Sequence, residues 1–338
     1  MLVFTTPHKT RFTPNHSFSM PDPTPPVEPD INPNHYTFTL FIPTYNRAYV
    51  LERALDSVNQ LTCRDFELVI IDDGSTDDTR ALVETWIDKN PFPIQYHWQE
   101  NQGKHAAHNA AVQRARGEFF LTLDSDDRIL PNALNIIKDQ WDAIPADQRD
   151  QFAGIAGLCL KEDGSLSGTP YPDGMQDANY LAMSNIRTLR GEKREAIRTA
   201  ILREFPYPRI DGEKHMRPSL ILKRMAHRYT LRFVNEPLEV NIHEADGICA
   251  NRFRYRMRNP KGFRLYCLED ITLHDSYADP KTLASRHRDY VRYSLHSGIG
   301  FLRQAREVKH TRLWLSAIPG GTLSWLSDKL KMSLGKHR

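Results

Sequence analysis

No stretch of this 338-residue chain strings together the roughly 18 apolar residues that a membrane-spanning helix needs. The N-terminal MLVFTTPHKTRF has no long apolar core followed by a small-residue cleavage site, which argues against a secretory leader. Cysteines are few. Cys63, Cys159, Cys249 and Cys267 are widely spaced with no CxxC pair, so neither a zinc site nor a secreted disulfide framework is indicated. Together these absences predict a protein of the reducing cytoplasm, working free or at the inner face of the cytoplasmic membrane. Internal repeats are also missing. No GxGxxG follows an apolar run, which removes the phosphate turn of a dinucleotide fold.

What is present is ordinary globular material, with 40% hydrophobic residues and enough chain for one large domain with attachments. The net charge of +3 is unevenly placed. From Lys281 to Arg338 there are twelve Lys or Arg against three acids, a net +9, so residues 1–280 carry −6. Within that tail, LWLSAIPGGTLSWLSDKLKMSLGK sets tryptophans and leucines beside lysines. Such a segment either lies on an anionic bilayer surface or forms a helical hairpin packed on the domain or at a dimer contact. At the other end, residues 1–35 hold eight of the 22 prolines and read as a disordered arm.

Between the ends, strand and helix patterns alternate. YTFTLFIPTYN is a strand halted by Pro43, after which Val50, Leu51, Ala54, Leu55 and Val58 recur at helical spacing. FELVIIDDGSTDDT is an apolar strand, a Gly-Ser turn and a helix for which Ser75 is the expected N-cap. IQYHWQE, the alanine-rich GKHAAHNAAVQRARG closed by Gly117, and EFFLTL continue the pattern. The fold class is therefore α/β, with a mostly parallel sheet covered on both faces. Ligands of such sheets bind at the carboxyl ends of the strands. Thr44-Tyr45-Asn46, Asp72-Asp73 and the trio Asp124, Asp126 and Asp127 all fall there.

The trio carries the strongest chemical signal. Three carboxylates within four positions repel one another unless a cation sits among them. Capping the helix that follows Pro131 accounts for one or two of them, not for all three. A divalent ion with hard oxygen ligands, Mn²⁺ or Mg²⁺, accounts for the set. A phosphatase of the haloacid type would place its acids on the first strand, where this chain has Pro43-Thr44-Tyr45.

In order and spacing, FIPTYNRAYVLERALDSV, DFELVIIDDGSTDDT and ENQGKHAAHNAAVQRARGEFFLTLDSDD resemble the nucleotide-sugar-binding half of glycosyltransferase family 2, which has the A-type glycosyltransferase fold. The likeness is strong over residues 36–140 and looser over 190–250; from Asp142 to Gly191 no motif is found. It divides the chain into the arm at 1–35, a catalytic domain at 36–250 with its acceptor half from 141, and a basic helical extension at 251–338.

The resemblance implies that Pro43, Thr44 and Tyr45 wrap a nucleotide base and that Asp73 accepts a hydrogen bond from uracil. It sets Asn101, Gly103, Lys104 and Asn109 near base and ribose, with His108 where the family usually has Arg. Asp124 and Asp126 become the family's Asp-x-Asp, which binds the diphosphate through the metal, with Asp127 beside them. His243 joins Asp126 and Asp127 as a candidate metal ligand. Glu213 is the implied catalytic base and Asp211 its reserve, although Lys214 stands where a second acid is common.

The function implied is inverting transfer of a sugar from a nucleotide-sugar, a UDP-sugar by the family's habit, to a hydroxyl of a glycan or lipid-linked acceptor in bacterial surface-polysaccharide synthesis. A scaffold of the same fold without turnover is the alternative, and a sugar-nucleotide-forming enzyme lacks its Gly-rich loop here. The run NRFRYRMRNPKGFR alternates Arg with aromatics, and its expected partner is a diphosphate or lipid phosphate ahead of a nucleic acid.

Overall fold

In the computed structural model the described residues are 35–334, apart from 175, 187, 243, 245–246 and 248–250. The proline-rich stretch lies outside them, His35 excepted, as does His243.

The first half alternates as its patterns require. It runs β1 (Tyr36–Thr44), α1 (Ala48–Asn59), β2 (Phe66–Asp72), α2 (Thr79–Ile87), β3 (Ile94–Trp98), α3 (Lys104–Arg114) and β4 (Gly117–Thr122). The four strands are parallel in the order β3-β2-β1-β4. Every residue of β2 is buried, because helices cover both faces and no position of the strand meets water. Alternate residues of β1 serve the two faces. Phe38, Leu40 and Ile42 join Leu51, Ala54, Leu55 and Val58 of α1 in one core, while Phe41 meets Ala107, Ala111 and Val112 of α3 in the other. Pro43 does not halt β1. Pairing with β4 ends at Phe41, so the missing N–H of Pro43 leaves no ladder bond broken on that side.

The second half runs β5 (Arg128–Ile129), α4 (Ala133–Asp142), β6 (Phe152–Lys161), β7 (Asp177–Ala178), α5 (Tyr180–Ser184), β8 (Lys193–Arg198), α6 (Thr199–Glu204), α7 (Ser219–Met225) and β9 (Thr230–Asn241). It widens the sheet to β3-β2-β1-β4-β8-β6-β9-β5, with β7 on β9. β8 is antiparallel to both β4 and β6, so the sheet is mixed. The stretch without motifs thus contains a long buried strand, β6.

Among the described residues five α-helices follow: α8 (Arg252–Arg258), α9 (Pro260–Thr272), α10 (Pro280–His296), α11 (Phe301–Glu307) and α12 (Thr311–Ser333). Phe263, Ile271, Tyr290, Val291 and Trp314 form their shared core. They are knit to the sheet half. Lys223 Nζ donates to Asp270 Oδ1 at 2.6 Å with both side chains 4% exposed, and Arg224 clasps Glu269. The tail is not a hairpin, because α12 runs unbroken through Pro319-Gly320-Gly321. A methyl group on Gly321 would stand 2.6 Å from Val291, so the small residue lets α12 press against α10. No helix among the described residues is long and apolar enough to cross a membrane.

Two turn assignments differ from expectation. The N-cap of α2 is Asp78, and Ser75 instead donates its N–H to Asp72 Oδ1 and accepts Asn46 N–H on its Oγ, both at 2.8 Å. Gly117 opens β4 rather than closing α3; a Cβ there would lie 2.3 Å from Thr39 N.

Candidate active site

Parallel pairing brings the three polar strand ends together. Thr44 stands beside Asp72, Asp73 N–H donates to Thr44 O at 2.8 Å, and Leu123 N–H donates to Phe41 O at 2.8 Å. A cleft of about 700 Å³ opens at this edge. Of the residues singled out from sequence, Pro43, Thr44, Tyr45, Asp73, Asn101, Gly103, Lys104, Asp124, Asp126 and Asp127 line it.

The loops hold each other in place. Asn46, at φ 52°, accepts Thr76 N–H on its Oδ1, and Asp77 accepts N–H bonds from both Ala48 and Thr79, at the starts of α1 and α2. Asp73 is almost fully buried. Its Oδ1 accepts Gln99 Nε2 and Gln102 N–H, and its Oδ2 accepts Gly103 N–H at 2.7 Å, which leaves Oδ2 room for one more donor from the cleft. Gly103 has φ +93°, and a Cβ there would lie 1.9 Å from Lys214 O, so the base-side loop presses directly on the segment carrying Lys214. Thr44 Oγ1 is buried at the cleft with no hydrogen-bond partner among the described residues.

The three aspartates have separated roles. Asp124 forms an ion pair with Lys104; burial pushes its carboxyl up, but Lys104 and Arg194 outweigh that and hold it below the usual range. Asp127 is spent on the protein. Its Oδ1 accepts Ile242 N–H at 2.8 Å, its Oδ2 accepts Asn241 Nδ2 at 2.9 Å, and Arg194, itself paired with buried Glu239, stands 3.5 Å away. Asp126 has no side-chain partner among the described residues, and burial, Asp124 and Asp127 push it up to about 6.

A dication suits that carboxylate. It would remove the repulsion that raises Asp126, and the unpartnered Thr44 Oγ1 marks a polar ligand's place nearby. Among the described residues no three acid, His or Cys side chains converge to hold a metal alone.

Other expected site residues point elsewhere. Asn109 exchanges both ends of its amide with the backbone of Tyr207, at 2.8 and 2.9 Å, and does not reach the cleft. His108 sits edge-on among Phe41, Phe120 and Tyr207, where burial lowers it to about 3 and keeps it neutral. Glu213 is absent from the cleft wall. It accepts Lys261 N–H on Oε1 and Gly262 N–H on Oε2, each at 2.6 Å, and so caps the start of α9. A carboxylate is drawn there by two bare amides and the helix dipole. Asp211 is exposed and also off the cleft wall.

In their place the fold brings Glu192, Lys214, His215, Glu244, Tyr255 and Arg258 to the cleft; Arg47, a further candidate of the resemblance for the base, lines it too. Glu244 is paired with Arg53 at 2.5 Å. Burial and nearby positive charge lower His215 to about 4, leaving it neutral and stacked on Phe263. Tyr255 and Arg258 come from the Arg-aromatic run, which was the available signal; Glu192 had none.

The sequence profile described as "Glycosyl transferase family 2" matches residues 39–199. A GalNAc(5)-diNAcBac-PP-undecaprenol beta-1,3-glucosyltransferase from Campylobacter jejuni is 33% identical over 132 residues, 38% of this chain and 40% of its own. Chondroitin synthase from Escherichia coli is 35% identical over 103 residues, 30% of this chain and 15% of its own. The matched stretches thus span less than half of these relatives' length. Among solved structures, S. aureus TarS 1–349 in complex with UDP-GlcNAc superimposes with TM-score 0.51 at 20% identity, covering 85% of this chain and 81% of that one. The mannosyltransferase PcManGT from Pyrobaculum calidifontis, with GDP-Man and Mn²⁺, gives 0.50 at 20% identity, covering 89% and 90%. These two likenesses establish the A-type glycosyltransferase fold.

Proposed function

We propose that this chain, whose residues 39–199 match the glycosyl transferase family 2 profile, transfers a sugar from a UDP-sugar to a hydroxyl of a glycan or lipid-linked saccharide, with inversion. The observation that carries the reading is the cleft at the strand ends, where Asp126, which has no side-chain partner among the described residues, lines the space a diphosphate would fill. Asp73 Oδ2 receives the N–H of the uracil ring, and Pro43, Thr44 and Tyr45 flank the base. Asp126 would hold Mn²⁺ or Mg²⁺, with His243, outside the described residues, as a further candidate ligand; when bound, the ion would supply charge neutralisation for the departing diphosphate. Asp124 fixes Lys104 beside the phosphates, and Arg258 and Lys214 add positive charge to the wall.

Glu192 is a carboxylate that the acceptor half of the chain brings to the cleft wall, and proton acceptance from the acceptor hydroxyl is assigned to it on that ground, while Glu213 becomes the residue that holds the Lys214-His215 wall against α9. Inversion follows from a single displacement served by one base. The Campylobacter relative's printed substrate, a PP-undecaprenol-linked saccharide, supports a lipid-linked acceptor.

The test is a panel of individual nucleotide-sugars incubated with the protein and Mn²⁺, reading slow release of free nucleotide. Release from a UDP-sugar is expected, and it should vanish in Asp126→Ala. Transfer to an acceptor should fall by ~10²–10⁴ in Glu192→Gln while UDP binding holds. Release that survives Asp126→Ala would remove the metal assignment. A second reading, a nucleotide-binding scaffold without turnover, draws on Glu213 and Asp211 both lying off the cleft; UDP binding with no release from any donor would favour it.

A further inference from the structure

The helix α12 is held on one side and bare on the other. Its buried positions, Trp314, Ala317, Gly321 and Asp328, recur at helical spacing and face α10, where Asp328 accepts Arg292 Nε at 2.6 Å and Nη2 at 2.7 Å and lies 3.0 Å from His296 Nε2. At about 100° per residue, Leu315, Pro319, Leu323, Leu326, Leu330 and Leu334 fall on the opposite side. The leucines among them are 51–66% exposed, so this is an unpartnered row that follows the length of the helix.

The charges beside that row have one sign. Lys329 and Lys331 flank it on its two sides and Arg312 lies near its N-terminal end, all exposed and without an ion-pair partner among the described residues. The acids of residues 301–334 are Glu307 and Asp328, and both are consumed. Glu307 binds Arg264, Tyr290 and Arg303, and Asp328 is buried. A second copy docking through this face would set lysines against lysines with no carboxylate to meet them. An anionic surface with an apolar interior meets both features at once.

We infer that the exposed face of α12 is a lipid-docking surface, with the helix lying in the plane of an anionic membrane, its leucine row among the acyl chains and its lysines at the headgroups. The helix does not cross, since it is neither long nor apolar enough. This inference stands apart from the catalytic reading, because lipid binding is measured without turnover.

The test is flotation of the full chain with phosphatidylcholine vesicles, with and without phosphatidylglycerol. Binding to the phosphatidylglycerol vesicles is expected, weakening as salt rises. Leu323→Glu with Leu326→Glu should reduce it about tenfold or more, as should Lys329→Glu with Lys331→Glu. Both pairs are solvent-exposed, so melting temperature and UDP binding should hold, which separates a lost surface from a lost fold. No flotation, equal flotation with and without the anionic lipid, or a dimer in light scattering that Leu323→Glu with Leu326→Glu dissolves, would each overturn the inference.

Discussion

Asp126 and Asp127 are chain neighbours with opposite tasks, and substitution separates them. Asp126→Asn should leave the melting temperature unchanged or slightly higher, since it relieves repulsion, and should abolish metal-dependent nucleotide release. Asp127→Asn should cost ~1–3 kcal/mol in urea unfolding, because an amide offers N–H where a carboxylate accepted one. Equal stability of the two variants would contradict this division. At this scale the sequence reveals which residue types matter but not which way they face. Asp127 is claimed by a backbone N–H 115 positions away, Asn109 by one 98 away, and Glu213 by one 48 away. Local pattern carries no trace of such partners. The cleft-facing turns around Thr44, Asp73 and Gly103 were legible because each is built from its own strand end.

Among elements, the first half was readable because buried parallel strands are continuous apolar runs and the helices between them carry clear stripes. β8 was not. KREAIR looks like a solvated segment, yet it is a central strand whose Arg194 pairs inward with Glu239. A buried ion pair reads as surface in one dimension. α12 misleads in the other direction, since Pro319-Gly320-Gly321 suggests a break. Pro319 lies on the exposed side, where water can donate to the Leu315 carbonyl that its missing N–H leaves unpaired, and Gly321 is used for close packing. Pro319→Ala should therefore raise stability by roughly 2 kcal/mol in thermal or urea melts, restoring a helix hydrogen bond. A loss of stability would mean that the proline ring itself is needed where it stands in α12.

Taken whole, the molecule is built around imidazoles kept neutral. His108 under the sheet and His274 between α7 and α9 are lowered to about 3, and His215 at the cleft to about 4, in each case chiefly by burial. In the unfolded chain these groups take up protons near pH 6.5. Folding refuses them, so their contribution to stability is complete above about pH 6.5 and is lost as pH falls toward the folded values. Urea midpoints should drop steeply between about pH 6.5 and 4, and His108→Phe, which keeps the edge-on ring contacts, should flatten that slope. An unchanged slope would remove His108 from the account. The Glu213 clasp on α9 has a practical corollary for protein engineering. The carboxylate that terminates that helix resides upstream of the splice point one would choose at Asn251, so the trailing helices are not an exchangeable cassette. A chimera joined at Asn251 to a homologue without an acid at 213 would inherit two bare amides and a slack cleft wall, and a serviceable junction has to fall before Ile210, so that donor and acceptor of the clasp travel together.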